Sequence, residues 1–179
     1  MALALEKCLI DLKMTVDILD ASSDNVLDLL GRLRYRIQHS LDKLGIQMFW
    51  RVQVRGELAA VRGEVALHTL RIAQESLSNV MIHAHASAVE VVCRYVDDTG
   101  MLLLEIRDNG RGIGRRVDGN VERESQSDEE STLFLGKGLA NMRNRAKSVG
   151  GELTISSKLG AGTRVRLQLP LMCAPQQPV

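Results

Sequence analysis

RIAQESLSNVMIHAHA, residues 71–86, read together with DNGRGIG, residues 108–114, decides the fold of this chain. Projected onto a helix at about 100° per residue, Leu70, Ala73, Leu77, Val80, Met81 and Ala84 fall in one apolar sector. Glu75, Asn79 and His83 are four residues apart and share the opposite face, where side chains at that spacing stack along the axis. A helix is expected from about residue 65 to residue 84. A carboxylate, an amide and an imidazole in one column, on a helix with a buried back, suit the wall of a site. The same three residues would also serve as the solvated side of an ordinary amphipathic helix.

Working outward, AVEVVCRY (88–95) and MLLLEIR (101–107) are rich in β-branched and aliphatic residues and flank the turn sequence DDTG, which predicts an antiparallel hairpin. Asp108 closes the second strand and is followed by Gly110, Gly112 and Gly114. Residues 115–132 have neither periodicity nor apolar anchors, and predict a long mobile loop. Its place between two glycine clusters favours a lid over an insertion without a role. Gly136-Lys137-Gly138 then opens a helix over 139–149, ended by Gly150-Gly151. Strands over 152–157 and 163–169 follow, with Pro170 as a stop and a frayed tail over 173–179.

Upstream, residues 1–44 have a helical pattern. Leu5, Leu9, Leu12, Val16 and Leu19 form one apolar series, and Val26, Leu30, Leu33, Ile37, Leu41 and Leu44 form a second. Ser22-Ser23-Asp24 offers an N-cap between them, and Gly45 a C-terminal cap. The second series is an a/d-type seam, expected to pack on a helix of another copy or segment, with packing on the chain's own core as the alternative. IQMFWRVQV (46–54) is a strand, and 55–63 a turn or short hairpin. The fold class is therefore an α/β two-layer sandwich, a mixed and mainly antiparallel sheet with helices on one face, preceded by a helical segment. The expected division is 1–44 helical, 45–172 catalytic or binding domain, 173–179 tail.

Composition excludes several functions. The chain has 179 residues, 45% hydrophobic and 25% charged, as in an ordinary globular protein. A net charge of +1 and 3% aromatics give no basis for a nucleic-acid surface or a base-stacking platform. Cys8, Cys93 and Cys173 are too few and too scattered for a disulfide framework or a zinc site. No stretch reaches the ~20 apolar residues of a membrane span and no signal peptide is visible, so a soluble, cytoplasmic protein is expected.

The glycine clusters suggest chemistry. A carboxylate at Asp108, with glycines beside it that allow close backbone approach, is an acceptor suited to an exocyclic amine such as that of adenine. Gly136-Lys137-Gly138 before a helix offers free N–H groups and a positive dipole end to phosphate, and Lys137 adds a point charge. The Asn79 amide oxygen suits Mg²⁺, an ion that keeps most of its waters. No GxxxxGK[ST] loop is present, and GRGIG does not open a helix, which disfavours the two common nucleotide folds.

The order of these elements is more specific than any one of them. ExxxN on a helix, DxGxG after a strand, GxGL opening a helix and GT before a last strand resemble the Bergerat-type ATP-binding fold shared by DNA gyrase, Hsp90, histidine kinases and MutL. QESLSNVMIHAHA, DNGRGIG, GKGLANMRNRAKSVGGELTISS and GAGTRVRLQLP look like the catalytic domain of two-component sensor histidine kinases of the nitrate-sensor type. The resemblance is dense over residues 67–170. It implies ATP and Mg²⁺ as cofactors and transfer of the γ-phosphoryl group to a histidine. It implies that Asn79 holds Mg²⁺ and that Glu75 polarises a metal-bound water or acts as a base. Asp108 would accept from the adenine amino group above Gly110 and Gly112. Gly136, Gly138 and Leu139 would cradle phosphates, Thr163 would lie by the adenine pocket, and His83 would reach the phosphate region. Partners would be a second copy, through the N-terminal helices of the full-length protein, and a response regulator.

Three departures qualify this. Ile82 stands where the family often has a cation, the stretch before Gly136 is long and acidic, and the phosphoacceptor histidine with its acidic neighbour is missing. His39 lacks the matching neighbours and reads as a surface or interface residue; His68 and His85 read as structural. The chain is therefore expected to be a fragment that binds nucleotide without phosphorylating itself. Rival readings are a serine kinase of the anti-sigma type and a nucleotide-sensing or dimerisation module that transfers nothing.

Overall fold

The computed structural model describes residues 24–113, 115–117, 120–122 and 137–171. The expected helix over the first twenty residues, Gly136 and the tail lie outside the described residues. A five-stranded sheet is built from β1 (Gln47–Val52), β2 (Ala88–Val96), β3 (Met101–Asp108), β6 (Glu152–Ser157) and β7 (Thr163–Pro170), in the order β1-β2-β3-β7-β6. Among the described residues only β1 and β2 run parallel, as a mixed and mainly antiparallel sheet requires. Alternation along β2 and β3 puts Val89, Val91, Cys93, Leu102, Leu104 and Ile106 into the core. Burial pushes the Cys93 thiol up to about 12, so it packs as a small apolar side chain rather than a reactive one.

Among the described residues, four α-helices accompany the sheet: α1 (Val26–Lys43), the short α2 (Gly56–Ala59), α3 (Gly63–Asn79) and α4 (Lys137–Ser148). The segment expected to be a turn or hairpin over 55–63 instead holds α2, whose Leu58 is fully buried. The N-cap of α1 is Asn25 and not the Ser22–Asp24 run. Its Oδ1 accepts from the Leu27 and Asp28 N–H groups at 2.9 and 3.0 Å, satisfying two orphan donors, while Asp24 pairs with Arg32. Gly45, at φ +70°, follows the α1 C-cap as expected.

The seam of α1 faces this chain's own core. Val26, Leu30, Leu33, Ile37 and Leu41 are buried with Leu70, Leu77 and Leu104 in one cluster. Of the two expectations, packing on another copy or segment and packing on the chain's own core, the structure shows the second, with the seam against α3 and β1. Backbone contacts fix the alignment, since the Val26 N–H donates to the Val61 carbonyl at 2.8 Å and Asn25 bridges Arg62. Leu41→Ala is expected to cost about 2–5 kcal/mol of stability by opening a cavity there. Denaturant unfolding would measure it, and a loss under about 0.5 kcal/mol would be that of a surface position.

Residues 115–132, expected to be without regular structure, contain two short strands. β4 (Arg115–Val117) and β5 (Asn120–Glu122) pair antiparallel as a separate ribbon. Its pairing is backbone to backbone, which needs no apolar anchors and so left no pattern in the sequence.

Candidate functional site

The back of α3 is buried through Leu70, Ile72, Ala73 and Leu77. Ser76, also on the buried side, bonds back to the Ile72 carbonyl at 2.8 Å and touches the Met142 sulfur of α4 at 3.4 Å. That packing turns Glu75 toward the start of α4, and Asn79 follows one turn later on α3, both half-buried. A Cβ on Gly138 would stand 3.0 Å from the Glu75 carboxyl carbon and run into its Oε1. Glycine is thus what lets the first turn of α4 lie directly on the Glu75 carboxylate. Lys137 is exposed at that helix start, and Leu139 packs its side chain against the core.

The helix does not continue regularly. Val80–Ala84 forms a π turn, ended by His85 in the left-handed conformation at φ 51°. A turn closed by i→i+5 bonds carries more residues than an α turn, so the straight column of Glu75, Asn79 and His83 is broken after Asn79. His83 is exposed on the π turn. Arg71, one turn before Glu75, is a residue that the sequence reading passed over. It is partly buried and faces Arg145 of α4, and burial first and that neighbour second hold its pKa below the usual value.

The glycine loop after β3 is tied to the same π turn. The Arg111 N–H donates to the Ala84 carbonyl at 2.8 Å, and a Cβ on Gly110 would lie 2.8 Å from the Ala84 carbonyl carbon. Only a residue without a Cβ permits this crossing of two backbones. Asn109 locks the loop from the other side, its Oδ1 accepting from the Ser87 and Ala88 N–H groups at 3.0 and 2.9 Å. Asp108, 6% exposed at the strand end, accepts the Gly110 N–H on Oδ1 at 2.8 Å. Among the described residues no donor reaches its Oδ2, which leaves that oxygen for a donor from outside.

The turn between β6 and β7 closes this end. Gly162, at φ +81°, places its backbone against the Asp108 carbonyl, and the Gly160 N–H donates to the Arg111 carbonyl at 2.8 Å. Gly112 likewise lies against the Lys158 carbonyl. Ser157 and Thr163 face each other across the strand ends, hydroxyl to hydroxyl at 3.0 Å. Two groups therefore form. Asp108, Gly110, Gly112 and Thr163 meet at the strand ends; Glu75, Gly138 and Lys137 meet at the start of α4, with Asn79 one turn further along α3. Asn109, Ser157 and Gly162 were not anticipated as parts of the site. Only Gly162 left a signal, as the glycine before Thr163.

A family model described as histidine kinase-, DNA gyrase B-, and HSP90-like ATPase matches residues 64–172, more than half of the chain. This chain belongs to that family. The match begins within α3 and takes in both groups of residues. Sensor protein VraS of Staphylococcus aureus (strain COL) is 36% identical over 104 residues, which are 58% of this chain and 25% of that protein. Nitrate/nitrite sensor protein NarQ of Escherichia coli (strain K12) is 37% identical over 110 residues, 60% of this chain and 16% of that protein. The chain thus spans a quarter or less of the length of these curated relatives. The histidine kinase domain of the blue-light activated histidine kinase of Erythrobacter litoralis EL346 has the same fold, with a TM-score of 0.63 at 22% identity, over 85% of this chain and 64% of that one. Among the described residues no helix is long and apolar enough to cross a membrane.

Proposed function

We propose that this chain binds ATP with Mg²⁺ and is the catalytic portion of a sensor histidine kinase, which moves the γ-phosphoryl group to a histidine in two-component signalling. The observation that carries the reading is the pairing of two ends. An acceptor oxygen of Asp108 is open at one, and the Glu75 carboxylate lies against the glycine start of α4 at the other, with Asn79 further along the same helix. A nucleotide has a base that donates and phosphates that need N–H groups and a cation, one for each end.

In this reading Asp108 accepts from the adenine amino group, with Gly110 and Gly112 as the floor and Thr163 beside them. Gly136, Lys137, Gly138 and Leu139 receive phosphate oxygens, the helix start through its N–H groups and Lys137 through its charge. His83 reaches the same phosphates from the π turn. Arg71 and Arg145 bring positive charge near the Glu75 end, where Ile82 does not. Among the described residues there is no cluster of three His, Cys, Asp or Glu side chains. That donor set fits an ion bound by one or two oxygens and otherwise by water and phosphate, and Asn79 would hold it. Bound there, Mg²⁺ would neutralise charge on the phosphates. Glu75 would polarise a metal-bound water or act as a base. Phosphoryl transfer depends on such positioning and charge neutralisation more than on covalent chemistry.

The whole protein would dimerise through its N-terminal helices and pass the phosphoryl group to a response regulator. The chain would act as the cytoplasmic portion of its sensor.

Calorimetry with ATP·Mg²⁺ up to about 1 mM is expected to show binding to the chain. Asn79→Ala should remove the Mg²⁺-dependent part of that affinity and leave binding in EDTA as it was. Adding in trans a domain that carries an acceptor histidine should place labelled phosphate on it. Binding without transfer would make this a nucleotide-sensing module, label on serine would make it a serine kinase, and no binding would end the proposal.

A further inference from the structure

The Ser157 hydroxyl stands where the two strand ends of the base-side group meet. It accepts from the Ile113 N–H at 2.7 Å, donates to the Gly162 carbonyl at 3.0 Å and lies 3.0 Å from the Thr163 hydroxyl. A hydroxyl has one proton and two lone pairs. The Gly162 carbonyl can only accept, so it takes the one proton of Ser157. The Ile113 N–H can only donate, so it occupies one lone pair. What remains for Thr163 is the second lone pair, and all three contacts are satisfied together only if Thr163 points its own proton at Ser157. The Thr163 oxygen then presents lone pairs alone to anything else that approaches it.

Register places this oxygen beside Asp108. Thr163 pairs with Ser157 on one side, and Arg164 pairs with Arg107 on the other, so Thr163 stands next to Asp108 at the ends of neighbouring strands. Side chains of a sheet alternate between faces, which puts Thr163 on the face of Val165 and Asp108 on that of Ile106. Both Val165 and Ile106 belong to the helix-covered core, so Thr163 and Asp108 share that face. Asp108 brings an acceptor-only oxygen, since Oδ1 already holds the Gly110 N–H.

We infer that Ser157 is a positioning residue that holds the Thr163 hydroxyl as an acceptor, so that Thr163 and Asp108 together select a purine with an exocyclic amino group over one with a carbonyl at that place. The inference rests on the nucleotide reading of the site. An amino group has two protons, one for each acceptor. A carbonyl oxygen in the same position would set lone pairs against lone pairs, and rejection by unpaired groups is stronger than the gain from a matched one. Ser157→Ala frees the Thr163 hydroxyl to rotate and donate, which removes half of the rejection.

The test is calorimetric titration of the chain with ATP and with inosine triphosphate, both with Mg²⁺. Inosine triphosphate differs in this position by carrying the carbonyl. The unaltered chain is expected to prefer ATP by about 100-fold. In Ser157→Ala the ratio should fall about tenfold, chiefly through better binding of the inosine nucleotide, and Ser157→Thr should restore it. Thermal melting of each variant reports the fold separately. An unchanged ratio in Ser157→Ala, or an equal loss of both affinities, overturns the inference and leaves the nucleotide reading standing. Absence of binding of either nucleotide to the unaltered chain overturns both.

Discussion

Asp108→Asn is expected to weaken ATP binding on the order of 100-fold while leaving the fold in place. The substitution keeps the size of the side chain, and the amide oxygen can still accept the Gly110 N–H now held by Oδ1 at 2.8 Å. The amide nitrogen then takes the place of Oδ2. A donor would face the amino group of adenine, and two donors at one point leave both without an acceptor in a site that excludes much of their water. Asp108 is 6% exposed, so solvent does little to relieve the mismatch. The check is calorimetry beside a melting curve. Affinity within threefold of the unaltered chain would show that the base does not meet this carboxylate. A melting temperature lowered by more than about 4 °C would point to a role in the fold instead.

Gly162→Ala is expected to harm both the fold and the site. At φ +81° an alanine is strained, which alone costs about 1 kcal/mol. Its methyl would also stand 2.8 Å from the Asp108 carbonyl carbon and overlap the carbonyl oxygen, both of them main-chain atoms at the end of the β3 ladder. Forced backbone shifts of this kind add about 1–3 kcal/mol, so a total near 3 kcal/mol and a fall of roughly 6–12 °C in melting temperature are expected. Gly160→Ala is the control. Its φ is +75°, but nothing lies within 4 Å of the added carbon, and only the conformational cost of about 1 kcal/mol should appear. Equal effects of the two substitutions would mean that the contact with Asp108 carries no weight.

Residue patterns report what is periodic and what is chemically unusual, and these parts of the molecule were legible in advance. The hairpin of β2 and β3, the strands β6 and β7, and α4 follow from alternation, turn residues and flanking glycines. The order of Glu75, Asn79, Asp108 and Gly138 along the chain was enough for the family. What could not be read is whatever depends on which surface meets which. The seam of α1 has the same spacing whether it faces a second copy or its own sheet, and burial of Leu30 and Leu41 with Leu104 decides for the latter. The π turn at Val80–Ala84 leaves no signature in the residue pattern, and what ties it down is tertiary: the Ala84 carbonyl is held by Arg111 of the glycine loop. The Ser157 junction is of the same kind, joining groups up to 44 residues apart in sequence through one oxygen.

Consider finally the sheet order β1-β2-β3-β7-β6. β3 and β7 are neighbours, joined from Met101↔Pro170 to Arg107↔Arg164, although the chain leaves the sheet at Asp108 and returns by way of α4. Both ends of the intervening stretch are fixed, one by the ladder and one by the contact of α4 with α3 at Ser76 and Met142. Closing a loop between fixed ends costs an entropy that grows only with the logarithm of its length, about 0.6 kcal/mol for each doubling. This architecture therefore makes the chain between Ile113 and α4 a place where length and charge can drift between relatives at little thermodynamic cost. Residues could be added or removed there without disturbing the sheet or the start of α4.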